Sequence, residues 1–140
     1  MCSSDLEQDW DLATWARMIE MRAVDVVQPD VMYMGGLSRT LKVAEMAAAA
    51  GLACTPHSAN LSLVTICTMH LLGAIPNAGK YLEFSIEGPD YYPWQEGLFL
   101  GDPFAICDGK AAIPSGPGWG VDINPEWLFS AAYQVSELRG

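Results

Sequence analysis

The chain has 140 residues, 51% of them hydrophobic and 17% charged, the make-up of one ordinary globular domain. Seven Lys plus Arg stand against 17 Asp plus Glu, giving a net charge of −10. Such a surface repels phosphate backbones, so nucleic acid is excluded as an expected partner. The longest apolar stretch, 61–75, is broken by Ser, Thr and His and is too short to span a bilayer, so no membrane partner is expected.

The elements follow in chain order. From Asp11 to Met21, Leu12, Trp15, Ala16 and Ile19 recur on one helical face. Ala23 to Gln28 is a β-branched run suited to a buried parallel strand, which Pro29 ends because it cannot donate to a ladder. Gly35-Gly36 predicts a turn, and Ser38 an N-cap for a helix that runs to Ala50 and stops at Gly51. Leu52 to Thr55 is the next strand. A helix from Asn60 or Leu61 to Leu72 follows, closed by Gly73 and Pro76, and then a third strand from Lys80 to Ser85. Glu87 to Asp102 reads as a long loop with one helical turn. Phe104 to Val121 carries a hairpin around Asp108-Gly109, and Pro125 to Val135 a last short helix.

The order α, β, α, β, α, β demands a parallel sheet with crossover helices. Each short apolar run closes on an ionisable residue: Asp30, His57 and Glu83, 27 and 26 residues apart. That spacing is one strand, one helix and two loops, the repeat of a (β/α) barrel. Ionisable groups at the carboxyl ends of barrel strands read as catalytic. His70 lies mid-helix among Met69, Leu71 and Leu72 and reads as structural. Cys2, Cys54, Cys67 and Cys107 have no CxxC spacing, so neither a disulfide framework nor a zinc site is expected. A reducing cytoplasm is the expected location. The first ten residues carry acids rather than the basic start of a secretory signal.

The run Gln28-Pro29-Asp30-Val31-Met32-Tyr33-Met34-Gly35-Gly36-Leu37, then Pro56-His57, Leu82-Glu83 and Pro114-Ser115-Gly116-Pro117-Gly118-Trp119-Gly120, resembles the mandelate racemase group of the enolase superfamily. The resemblance extends from Glu7 onward. It implies an α/β fold: the C-terminal part of a (β/α)8 barrel, with about three βα units and a tail that joins a capping domain. Residues 7–103 would be the barrel units and 104–140 the hairpin and tail. Residues 1–6, which do not continue the family pattern, read as a non-native leader.

By the same resemblance, Asp30 and His57 form a dyad on consecutive strands. His57 takes a proton from the carbon next to a carboxylate, and Asp30 fixes its tautomer. Glu83 would act from the opposite side as an acid donating to a substrate carboxylate oxygen. The superfamily's stabiliser of the resulting enediolate is Mg²⁺, with Glu7, 23 residues before Asp30, at the place of one metal ligand. The other metal carboxylates, and any second acid/base group, belong to segments this sequence does not contain.

The expectation is thus part of a Mg²⁺-dependent enzyme that dehydrates a sugar acid, a homo-oligomer in its full-length form. A racemase or epimerase of 2-hydroxy acids is the alternative reaction. A small non-catalytic α/β module, binding through Tyr91-Tyr92-Pro93-Trp94, is the alternative of another class. Three parallel strands cannot close a barrel, so the isolated chain is expected to be marginal or aggregating and without turnover.

Overall fold

The computed structural model describes residues 8–58 and 60–135. Helix α1 (Leu12–Glu20) starts where Asp11 caps it, accepting from the Thr14 amide at 2.9 Å and the Thr14 hydroxyl at 3.0 Å. Its apolar face carries Trp15 and Ile19 into a core with Val27, Met34, Val43 and Leu52. Trp15 is wholly enclosed, and its indole N–H donates to the Asp9 carbonyl at 3.0 Å. A buried ring with its one polar atom satisfied is what such a core needs.

Strands β1 (Val26–Val27) and β2 (Ala53–Cys54) pair in parallel, and α2 (Leu37–Ala49) is the crossover between them. The cap of α2 differs from the expectation. Gly36, not Ser38, is the N-cap, and its φ of +123° is a conformation that L side chains rarely adopt. Ser38 lies inside the first turn. Helix α3 (Leu63–Ala74) begins later than expected, with the Ser62 hydroxyl accepting from the Val64 amide at 3.1 Å. Gly73 stays within α3, and Pro76 follows the Ile75 cap.

The third expected strand is not a ladder. Lys80 to Ser85 forms no pairing, and the chain touches the sheet just before it, through a parallel bridge of Cys54 with Ala78. The Cys54 amide donates to the Asn77 carbonyl and the Gly79 amide to the Cys54 carbonyl, each at 2.8 Å. A Cβ on Gly79 would run into the Thr55 side chain, so only glycine allows this approach.

Pro93–Gln95 forms the one turn of 3-10 helix in the long loop. The hairpin is present as β3 (Ile106–Cys107) and β4 (Lys110–Ala111), turning at Asp108-Gly109. Helix α4 (Pro125–Ser130) follows a cap by Asn124. The tail returns on the loop through an antiparallel bridge of Phe99 with Ile123. Among the described residues no helix is long and apolar enough to cross a membrane.

Candidate active site

The sheet register brings Asp30 and His57 together. Val26 pairs with Ala53, Val27 with Cys54, and beyond the strand ends Asp30 bridges to His57, each pair 27 residues apart. The Thr55 amide donates to the Val27 carbonyl at 2.8 Å and the His57 amide to the Pro29 carbonyl at 3.1 Å. Pro29 and Pro56, both buried, precede the two functional residues and carry no N–H that would need a partner there.

Asp30 is 6% exposed and both its oxygens are engaged. Oδ1 accepts from the Met32 amide at 2.6 Å and the Tyr33 amide at 3.2 Å, and Oδ2 lies 2.7 Å from His57 Nδ1. Burial alone would raise its pKa. The His57 hydrogen bond and the two amides outweigh burial and hold the carboxyl below its ordinary value. A carboxylate on Nδ1 selects the imidazole tautomer protonated there and puts the basic lone pair on Nε2.

Nε2 faces Glu83, whose Oε2 lies 3.6 Å away. Leu82 and Phe84 line a cavity of about 470 Å³ against α3 and the hairpin, while Glu83 between them turns to His57. This is strand-like alternation without a strand partner. The Glu83 side chain is 40% exposed, yet Oε2 itself is shielded and has no hydrogen-bond partner. Two proton-handling groups thus meet at one point, 3.6 Å apart, so a small molecule would sit against the pair rather than between its members.

Other polar groups serve the frame. His70 Nε2 lies 3.0 Å from the Trp119 carbonyl and its ring meets Trp119 edge-on, tying the tail to α3. The Ser58 hydroxyl, directly after His57, donates to the buried Thr65 hydroxyl at 2.7 Å and anchors the loop to α3. Burial pushes the Cys54 thiol up to about 12, which leaves it a small apolar core residue. Sequence reasoning missed Asn77, whose side-chain amide donates to the Ala44 carbonyl at 3.2 Å and the Leu52 carbonyl at 2.9 Å, fastening the third segment to α2 and to the start of β2. No local pattern marks such a residue, because both of its partners are remote.

Glu7, the expected metal ligand, lies outside the described residues. Among the described residues no three His, Cys, Asp or Glu side chains converge on a point that could hold a metal ion. Asp30 is spent on His57 and two amides. The described donor set does not make a Mg²⁺ cage, which needs several oxygens in octahedral array.

The profile of the family described as "Enolase C-terminal domain-like" matches residues 6–127. The chain belongs to this family. A solved structure of a candidate racemase from Roseobacter denitrificans is 70% identical to this enolase C-terminal domain-like chain. It superposes with a TM-score of 0.87 over 94% of this chain and 36% of its own. D-gluconate dehydratase of Thermoproteus tenax is 32% identical over 116 residues, 82% of this chain and 22% of the relative. L-rhamnonate dehydratase of Saccharopolyspora erythraea is 30% identical over 113 residues, 78% of this chain and 27% of the relative. The chain therefore spans about a quarter of the length of the curated relatives it matches. Its α/β architecture is that of part of the barrel domain in this family, whose members here include acid-sugar dehydratases and mandelate racemase-like proteins.

Proposed function

We propose that this chain is part of an enzyme that removes the proton α to a carboxylate, with a sugar acid as substrate and dehydration as the outcome. The observation that carries the reading is the Asp30–His57–Glu83 line: 2.7 Å from Asp30 Oδ2 to His57 Nδ1, then 3.6 Å from Nε2 to Glu83 Oε2. His57 Nε2 takes the α-proton, and Asp30 stabilises the imidazolium. Glu83, protonated, donates to the substrate carboxylate as negative charge moves onto it. His57 then returns its proton to the 3-hydroxyl, which leaves as water when the C3–O bond breaks. The resulting enol ketonises to a 2-keto-3-deoxy acid.

The two sugar-acid dehydratases among the relatives support dehydration. Mg²⁺ dependence belongs to the same proposal and rests on family membership, with Glu7 as one ligand. A homo-oligomer in a reducing compartment is the proposed setting. Cys54, Cys67 and Cys107, all free thiols, suit the latter.

A second reading, racemisation or epimerisation of a 2-hydroxy acid, is favoured by the Roseobacter denitrificans relative at 70% identity. It needs a second acid/base group on the opposite face of the substrate. One experiment tests both readings. The full-length protein is incubated with sugar acids in deuterated water, and α-proton exchange and products are followed by NMR. Wild type exchanges the α-proton, and His57→Asn loses it by about a thousandfold. Retained exchange in the variant removes His57 from the role of base. A keto-deoxy product identifies the dehydratase, and a stereoisomer of unchanged composition the racemase.

A further inference from the structure

Two consecutive side chains connect the loops that carry His57 and Glu83. The Trp94 indole N–H donates to the Asn60 carbonyl at 2.8 Å, three residues past His57. The Gln95 side-chain amide donates to the Ser85 hydroxyl at 3.2 Å, two residues past Glu83. Both donors sit in the 3-10 turn Pro93–Gln95.

Each acceptor is itself fastened. Asn60 Oδ1 accepts from the Ser62 amide at 3.2 Å and the Ser62 hydroxyl at 2.7 Å, and Ser62 caps α3. Ser85 is buried, and its hydroxyl donates to Glu87 Oε2 at 2.8 Å. The Tyr92 ring packs on Trp94 with centroids 5.2 Å apart. The sheet does not do this work. Among the described residues, the bridge between the two segments is Cys54 with Ala78, before both functional side chains, and no pairing follows it.

We infer that Trp94 and Gln95 form a brace across the two loops, a pair of positioning residues that sets the separation of His57 Nε2 from Glu83 Oε2. Its part in catalysis rests on the proton-transfer reading above; its part in geometry does not. Holding two groups at a working distance is where a small displacement costs much rate.

The test uses the full-length protein and two substitutions that keep bulk and remove donors, Trp94→Phe and Gln95→Leu, singly and together. The double variant is expected to lose about tenfold in kcat for α-proton exchange, with KM unchanged within about twofold. The second readout needs no turnover: the His57 imidazole titration followed by NMR, with and without Glu83→Gln. In the parent, Glu83→Gln moves the titration, because the Glu83 side chain lies 3.6 Å from Nε2. In the unbraced double variant, Glu83→Gln moves it little.

An equal movement in both backgrounds, or a loss confined to KM, overturns the brace. If wild type exchanges no carboxylate's α-proton, the proposed function falls while the imidazole comparison still judges the brace. If the double variant does not fold, Gln95→Leu alone carries the same comparison.

Discussion

Asp30 and Glu83 flank one imidazole and are held in opposite ways. Asp30 stands at a paired position of the sheet register, is 6% exposed, and has hydrogen bonds on both oxygens. Glu83 stands on an unpaired segment, has a side chain that is 40% exposed, and carries a shielded oxygen with no hydrogen-bond partner. An orienting group must not move, and sheet pairing with saturated hydrogen bonds secures that. A group that meets the substrate must keep bonding capacity in reserve. The difference in construction therefore matches the difference in proposed role.

The largest expected effect is on the rigid side. Asp30→Asn can donate to Nδ1 rather than accept from it, which favours the wrong imidazole tautomer. Exchange in the full-length protein should fall by roughly a thousandfold. The same variant has a pH signature. The folded form holds the Asp30 carboxyl below its ordinary value, so the unfolded chain takes up that proton at higher pH. Its stabilising contribution is complete above the ordinary carboxylate range and is lost as pH falls through the lowered folded value. Urea midpoints measured from neutral to acid pH should fall more steeply for wild type than for Asp30→Asn. Parallel curves would dissolve the contrast between the two carboxyls.

On the open side, Glu83→Gln should cost about a hundredfold in exchange, the scale for loss of one transition-state donor. Its urea midpoint should stay near that of wild type, because Oε2 has no hydrogen bond to lose. Gly79→Ala comes next. The new methyl meets the Thr55 side chain, and a cost of about 2 kcal/mol in urea unfolding is expected, mostly recovered by adding Thr55→Ala. Smallest is Ser62→Ala, which removes the α3 cap and should cost about 1 kcal/mol in the same measurement.

What could be read from residue order was local. The face of α1 shows as Leu12, Trp15, Ala16 and Ile19, and the hairpin shows as Asp108-Gly109 between short β-prone runs. Asp30, His57 and Glu83, three ionisable residues at barrel spacing, fall within one line of contacts. The failures are non-local. Ser38 looks like a cap, but the chain enters α2 at a backbone angle that suits Gly36. Lys80 to Ser85 has strand propensity and strand alternation, yet a strand is a property of a pair, and no pairing forms along this segment. The contacts of Trp94 and Gln95 were not legible, because their acceptors, Asn60 and Ser85, lie 34 and 10 residues away.

The constant register has a consequence for how such a chain can change. Backbone hydrogen bonds set Asp30 opposite His57, and the number of residues between them does not. Lengthening the turn at Gly51, or adding a helical turn to α2, would alter the count of 27 and leave the pair facing each other. Inserting one residue between Cys54 and His57 would keep the helix whole and turn the imidazole to the other side of the sheet. Length is open to drift on the connection and closed to it from Cys54 to His57.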